Sequence, residues 1–271
     1  MPRPRALITG ASAGIGTELA RVFAAHGYDL ILVARREDRL NAVRDELTAT
    51  GADVLVVTKD LALKTAPRAL YQDIKSCGLT VDALVNNAGV AYSGAFTAMD
   101  ADAVARMVLV NAATLATLTR LFVTDMVARG SGRILNISSL SAFQAVPSMS
   151  LYAATKAFVL SFTEGLAEEL RGTGVTVTAL CPGFTDTEMM HDIARPGGAF
   201  AQVPAFMISD VKSVAQEGYD ACVSGEVVRV PGLANQLSAL WSQTHSRTLR
   251  SSPCVAGTRR WPSRMPRPRS K

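Results

Sequence analysis

Along most of its length the chain alternates short apolar runs with stretches of helical periodicity. No other feature limits the fold as much. The runs lie at residues 5–10, 29–34, 54–57, 82–85, 132–138 and 175–181. The run at 29–34 is apolar almost throughout, as a strand covered on both faces is. Six alternations of strand and helix are the pattern of a parallel sheet sandwiched between helices. The expectation is therefore α/β: a doubly wound, Rossmann-like parallel sheet in a single domain over residues 1–245. A weaker helix at 65–77, a helix at 211–223, a last strand at 226–230 and an amphipathic helix at 233–241 fit the same scheme. The 48% hydrophobic content supports a sizeable core. No apolar run approaches the roughly 18 residues of a membrane span.

The first run meets Gly10, and Gly10-Ala-Ser-Ala-Gly14-Ile-Gly16 then opens a helical pattern at Leu19, Ala20, Phe23 and Ala24. Strand, glycine turn, helix is the context of a dinucleotide site. Gly10 permits the tight turn, while Gly14 and Gly16 let the helix N-terminus approach a pyrophosphate that its dipole favours. Many glycine turns bind nothing, so the placement carries the argument. The second run ends in Ala34 followed by Arg35 and Arg36, where an acid would hold ribose hydroxyls. Two guanidinium groups suit a 2′-phosphate and favour NADP(H). The alternative is that they merely begin a charged helix.

Further on, Asp60-Leu61 follows the third run, where a carboxylate could meet an adenine edge, and Asn86-Asn87-Ala88-Gly89 ends the fourth. The latter is either turn geometry beside a cofactor or an ordinary Asn/Gly turn. Residues 100–126 hold helical turns of small and apolar side chains around Asn111, a buried amide that must be satisfied or functional. The fifth run delivers Ser138, Ser139 and Ser141 to its C-terminal end, where open α/β sheets bind ligands.

Tyr152 and Lys156 stand four residues apart in a helical stretch, on one face. A phenol titrates near about 10, and an adjacent cation lowers that value. Such a pair suits proton exchange with an alcohol or carbonyl. Taken alone, it is more often a packed ring and a solvated ammonium.

Residues 184–210, rich in Met, Phe, Pro and Gly, interrupt the alternation and read as a lid over a hydrophobic or bulky substrate, or else as a disordered insert. Residues 246–271 hold seven Arg, one Lys and no acid; with the chain at +5, the folded body is left at −3. This tail reads as disordered or as a reading-frame artefact, and any nucleic-acid role would have to reside in it. The four cysteines show no zinc spacing and suggest free thiols in a reducing cytosol, with no metal.

Together, Thr9-Gly-Ala-Ser-Ala-Gly-Ile-Gly16, Asp60-Leu61, Asn86-Asn-Ala-Gly89, Asn111, Ser139, Tyr152-x-x-x-Lys156 and Pro182-Gly-Phe-Thr-Asp-Thr187 resemble the short-chain dehydrogenase/reductase family over residues 5 to about 241. The chain is similar to a branch with Ala-Arg-Arg after its second strand and Val-Pro-Gly-Leu near its end, although the tail is unlike that branch's usual ending. The resemblance implies Tyr152 as general acid/base and Lys156 lowering its pKa while holding the nicotinamide ribose. It implies Ser139 bonding the substrate oxygen and Asn111 holding a water of a proton relay. Pro182, Gly183 and Thr185 would flank the nicotinamide, with Thr187 near its carboxamide or the phosphates. Ser12, Arg35 and Arg36 would take the 2′-phosphate. Asp60, Leu61 and Asn87 would line the adenosine half, and Ile15, Ala88 and Gly89 complete the cofactor set. The expected activity is NADP(H)-dependent interconversion of a secondary alcohol and a carbonyl compound in a cytoplasmic homodimer or homotetramer. An NADP(H) sensor without turnover is the alternative; an intact Ser139, Tyr152 and Lys156 argues against it.

Overall fold

The structure, a computed structural model, describes residues 3–193, 203–204 and 207–244. The tail and the middle of the 184–210 segment lie outside the described residues. The strands β1 (Arg5–Thr9), β2 (Asp29–Ala34), β3 (Val54–Thr58), β4 (Ala83–Asn86), β5 (Gly132–Ile137), β6 (Val175–Leu180) and β7 (Val228–Arg229) form one sheet in the order β3-β2-β1-β4-β5-β6-β7. Every pairing is parallel. The order reverses between β1 and β4, the point at which doubly wound sheets open a crevice.

Successive strand residues face opposite layers. Ala6, Ile8, Leu30, Leu32, Val85 and Leu135 pack into one core with α1 (Gly14–Ala25), α2 (Glu37–Thr48) and α8 (Val211–Ser224). Leu7, Ile31, Val33, Leu84, Ile134 and Val177 pack into the other. That layer is covered by α3 (Ala66–Ser76), α5 (Leu115–Ala128) and α6 (Ser150–Glu169). Burial on both faces is why β2 is apolar almost throughout, and in the alternating β6 the hydroxyl-bearing Thr178 is buried as well.

From Ala101 to Ala128 the chain is continuously helical: α4 (Ala101–Val108), a π-helical turn (Leu109–Thr114) and α5. The Asp100 carboxylate starts it by accepting the Asp102 and Ala103 N–H groups at 2.9 and 3.1 Å. By length and composition this helix could cross a membrane, which corrects the expectation that no stretch comes near one. Its most apolar window is 56% buried against the fold, as in a core helix. The remaining helices are α7 (Glu188–Ile193) and α9 (Leu233–Thr244). The ends of the 184–210 segment are pinned together by a parallel bridge between Thr185 and Ser209. Cys77, Cys181 and Cys222 are free thiols, and Cys254 lies outside the described residues.

Candidate active site

The C-terminal ends of β4, β5 and β6 converge on Lys156. This side chain is only 5% exposed, one turn after Tyr152 in α6. Its Nζ donates to the Ile137 carbonyl at 2.8 Å, and the Ser138 hydroxyl donates to the Lys156 carbonyl at 2.8 Å. The helix is thus bolted to the end of β5. Lys156 Nζ stands 5.6 Å from the centre of the Tyr152 ring. Ser139, in extended backbone, caps a short turn by accepting the Ser141 N–H at 3.1 Å. The Leu140 N–H donates to the Pro182 carbonyl at 2.8 Å, tying that turn to the end of β6. The Tyr152 phenol has Ser139 within hydrogen-bonding reach. Serine, phenol and ammonium therefore share one cleft.

Their protonation departs from the sequence expectation. Loss of solvent pushes the Tyr152 phenol up to about 12, opposed by the hydrogen bond from Ser139. Burial pulls Lys156 down to about 8, opposed by the nearby Cys181. Lys156 was expected to acidify the phenol. Its ammonium donates to the Ile137 carbonyl, and for the phenol desolvation is the larger influence. Cys181 itself is raised to about 12 by burial, which leaves it an unreactive thiol.

Asn111 lies in the π-helical turn and is 1% exposed. Its amide exchanges two bonds with the Val90 backbone, both 2.9 Å, and donates to Thr155 Oγ1 at 3.1 Å. Both donors are committed, so the side chain joins the β4 loop to α6 and does not hold a relay water with its amide N–H groups. Gly89 follows the same loop; a Cβ there would lie 3.4 Å from Asn111 Oδ1 and 3.7 Å from Lys156 Nζ.

In the glycine turn, Gly10 and Gly14 have φ of +67° and +58°, a region that disfavours side chains. The two glycines do different jobs from Gly16. A Cβ on Gly16 would fall 2.4 Å from the Gly10 carbonyl and from Asn87 Nδ2. Gly16 therefore lets α1 dock closely on the C-terminal ends of β1 and β4. The α1 N-terminus follows Ala13, has no side-chain cap and no acid in its first turn, so its N–H groups with Ile15 remain available to an anion. Thr9 Oγ1 accepts the Asn87 and Ala88 N–H groups at 3.0 and 3.1 Å, and Asn87 Nδ2 donates to the Thr9 and Gly10 carbonyls at 2.9 and 3.2 Å. Asn87 is thus a brace of the turn.

At the adenosine end, Asp60 accepts the Ala62 N–H at 3.0 Å and pairs with Arg106 at 3.5 Å, while the Leu61 carbonyl accepts from Thr114 at 2.9 Å. Ser12 Oγ accepts from Arg36 at 3.3 and 3.4 Å. Arg35 is exposed and makes no ion pair among the described residues. Arg36 instead shares an anion with Arg39, which sequence reasoning missed: both bind the carboxylate of Glu188. Across the mouth, Thr185 and Thr187 turn their hydroxyls onto the Gly183 and Thr185 carbonyls, and a Cβ on Gly14 would lie 3.1 Å from the Thr187 methyl. Gly183 packs against Asn235 of α9, a contact with no signal in the sequence; a Cβ there would come within 2.7 Å. Among the described residues, no group of His, Cys, Asp and Glu could hold a metal.

The short chain dehydrogenase family matches residues 4–196. The very-long-chain 3-oxoacyl-CoA reductase of Bos taurus is 34% identical over 215 residues, 77% of this chain and 68% of that protein. A short-chain dehydrogenase from Sphingobium yanoikuyae, solved with NADPH, is 34% identical with a TM-score of 0.79, covering 89% of this chain and 93% of its own. A short-chain dehydrogenase/reductase from Burkholderia phymatum, solved with NAD, is 27% identical with a TM-score of 0.77, covering 88% and 92%.

Proposed function

Since the chain belongs to the short-chain dehydrogenase family, a family of oxidoreductases that use nicotinamide cofactors on small molecules, we propose that it uses NADP(H) to interconvert a secondary alcohol and a carbonyl compound, with Tyr152 as general acid and base. The observation that carries this reading is the cleft in which the Ser139 hydroxyl, the Tyr152 phenol and the Lys156 ammonium meet. The residues fit a dinucleotide: an uncapped α1 N-terminus behind Gly10 and Gly14 suits a pyrophosphate, and Ser12 with Arg36 suits a 2′-phosphate. Bound there, NADP(H) supplies or accepts the hydride.

Ser139 holds the substrate oxygen beside Tyr152. With its pKa raised to about 12, Tyr152 carries its proton at neutral pH and is set to donate it to a carbonyl oxygen becoming an alcohol. Lys156, protonated below about 8, holds positive charge beneath this site. Near the mouth, the ends pinned by Thr185 and Ser209 expose Met189 and Met207, and this supports a bulky hydrophobic carbonyl substrate. The stacked Phe158 and Phe162 on α6, with Phe158 exposed, fit a homodimer or homotetramer contact, and the exposed thiol of Cys77 fits a cytoplasmic setting.

The test is Tyr152→Phe, assayed by NADPH oxidation against ketones, aldehydes and 3-oxoacyl thioesters. Turnover should fall by about 10²–10⁴-fold while NADPH binding persists. Near-normal turnover would remove the proposed acid.

A further inference from the structure

The anion that joins Arg36 to Arg39 comes from a distant part of the chain. Glu188 begins α7, and its two carboxylate oxygens are divided between the two guanidinium groups: Oε2 with Arg36 at 2.9 Å and Oε1 with Arg39. Arg36 turns the rest of its fork toward Ser12. One carboxylate thus occupies the position in which two arginines and a hydroxyl would grip a phosphate. We propose that Glu188 is an internal counter-ion that an adenosine 2′-phosphate must displace from Arg36 and Arg39, so that this residue, with Arg39, sets the discrimination between phosphorylated and unphosphorylated nicotinamide dinucleotides. The inference rests on the NADP(H) reading above and adds to it a competitor built into the chain.

Three observations support it. The side chains of Arg36, Arg39 and Glu188 are 41%, 44% and 53% exposed, so their ion pairs are weak and exchangeable. A phosphate monoester near pH 7 carries about −1.5 to −2 against −1 for the carboxylate, which favours the ligand once it arrives. The preceding residue, Thr187, packs on Gly14, so residues 187–188 span from the glycine turn to the basic corner. Tethered there, Glu188 competes at an effective concentration set by the fold and not by solution.

The experiment measures binding of NADP⁺, NAD⁺, 2′,5′-ADP and 5′-ADP at low ionic strength to the native chain and to Glu188→Gln and Glu188→Ala. Both variants should bind NADP⁺ and 2′,5′-ADP about three- to tenfold more tightly, with less than about twofold change for NAD⁺ and 5′-ADP. In the native chain, 2′,5′-ADP but not 5′-ADP should speed amide exchange over 188–193. Weaker NADP⁺ binding by both variants would mean that Glu188 orients the arginines, and equal shifts for NADP⁺ and NAD⁺ would mean a general loop effect; either overturns the inference. Native protein that prefers NAD⁺, with Arg36→Ala leaving NADP⁺ binding unchanged, would instead overturn the NADP(H) reading itself.

Discussion

Two charged clusters flank the same crevice and obey opposite rules. At β5 and α6, Lys156 is 5% exposed, its hydrogen bonds are fixed by backbone, and burial moves both it and Tyr152 away from their ordinary pKa values. At the end of β2, Arg36, Arg39 and Glu188 are about half exposed, and the carboxylate is held below its usual range by Arg39 and Arg36. Where water is excluded, desolvation decides the protonation state; where water is present, the partner ion decides it and can be exchanged. The first cluster thus suits the proton chemistry proposed for it, in a fixed geometry, and the second suits reversible binding.

The sharpest way to break this contrast is the pH dependence of the two reaction directions. If Tyr152 is the acid proposed above, reduction needs it protonated, so its rate should be flat through neutrality and decline as Lys156 loses its proton above about 8. Oxidation needs the phenolate of a group raised to about 12, so its rate should climb about tenfold per pH unit without a plateau by pH 10. An oxidation plateau near pH 7 in initial-rate profiles would mean that the bound cofactor reverses the effect of burial.

The next test concerns stability. A lysine lowered to about 8 from 10.5 favours its neutral form in the fold, so its contribution is fully present above 10.5 and is lost as pH falls toward 8. At pH 7 the buried charge costs about 3 kcal/mol, and at pH 10 about 1. Lys156→Met removes that cost but orphans the Ile137 carbonyl, worth about 1–3 kcal/mol. The net gain at pH 7 should be about 1 kcal/mol and should disappear by pH 10 in urea unfolding, while turnover is lost. The smallest expected effect is that of salt. Raising ionic strength from about 0.05 to 0.5 M should weaken NADP⁺ binding a few-fold and leave kcat unchanged, because only the exposed cluster is screened.

Much of the site was legible because its parts are local. Tyr152 and Lys156 are neighbours by helical period, and Gly10 and Gly14 sit in a turn that needs positive φ. The parts the sequence did not show are contacts that depend on what arrives from elsewhere. Gly16 meets Asn87 at the C-terminal ends of the central strands, Asn111 meets Val90 and Thr155, and Arg36 meets Glu188 across 152 positions of sequence. Arg35 and Arg36 looked like a pair because they are adjacent, yet successive residues at a strand end diverge, and the helical neighbour at i+3 is the one that shares the anion.

The order of strands and helices, their burial on both faces and the gathering of polar residues at strand ends were properties of the sequence alone, because periodicity and turn chemistry act over a few residues. The direction of the Tyr152 shift, the engagement of Asn111 and the identity of the arginines' counter-ion belonged to the tertiary structure. Desolvation and long-range pairing are sums over neighbours that only the folded chain brings together.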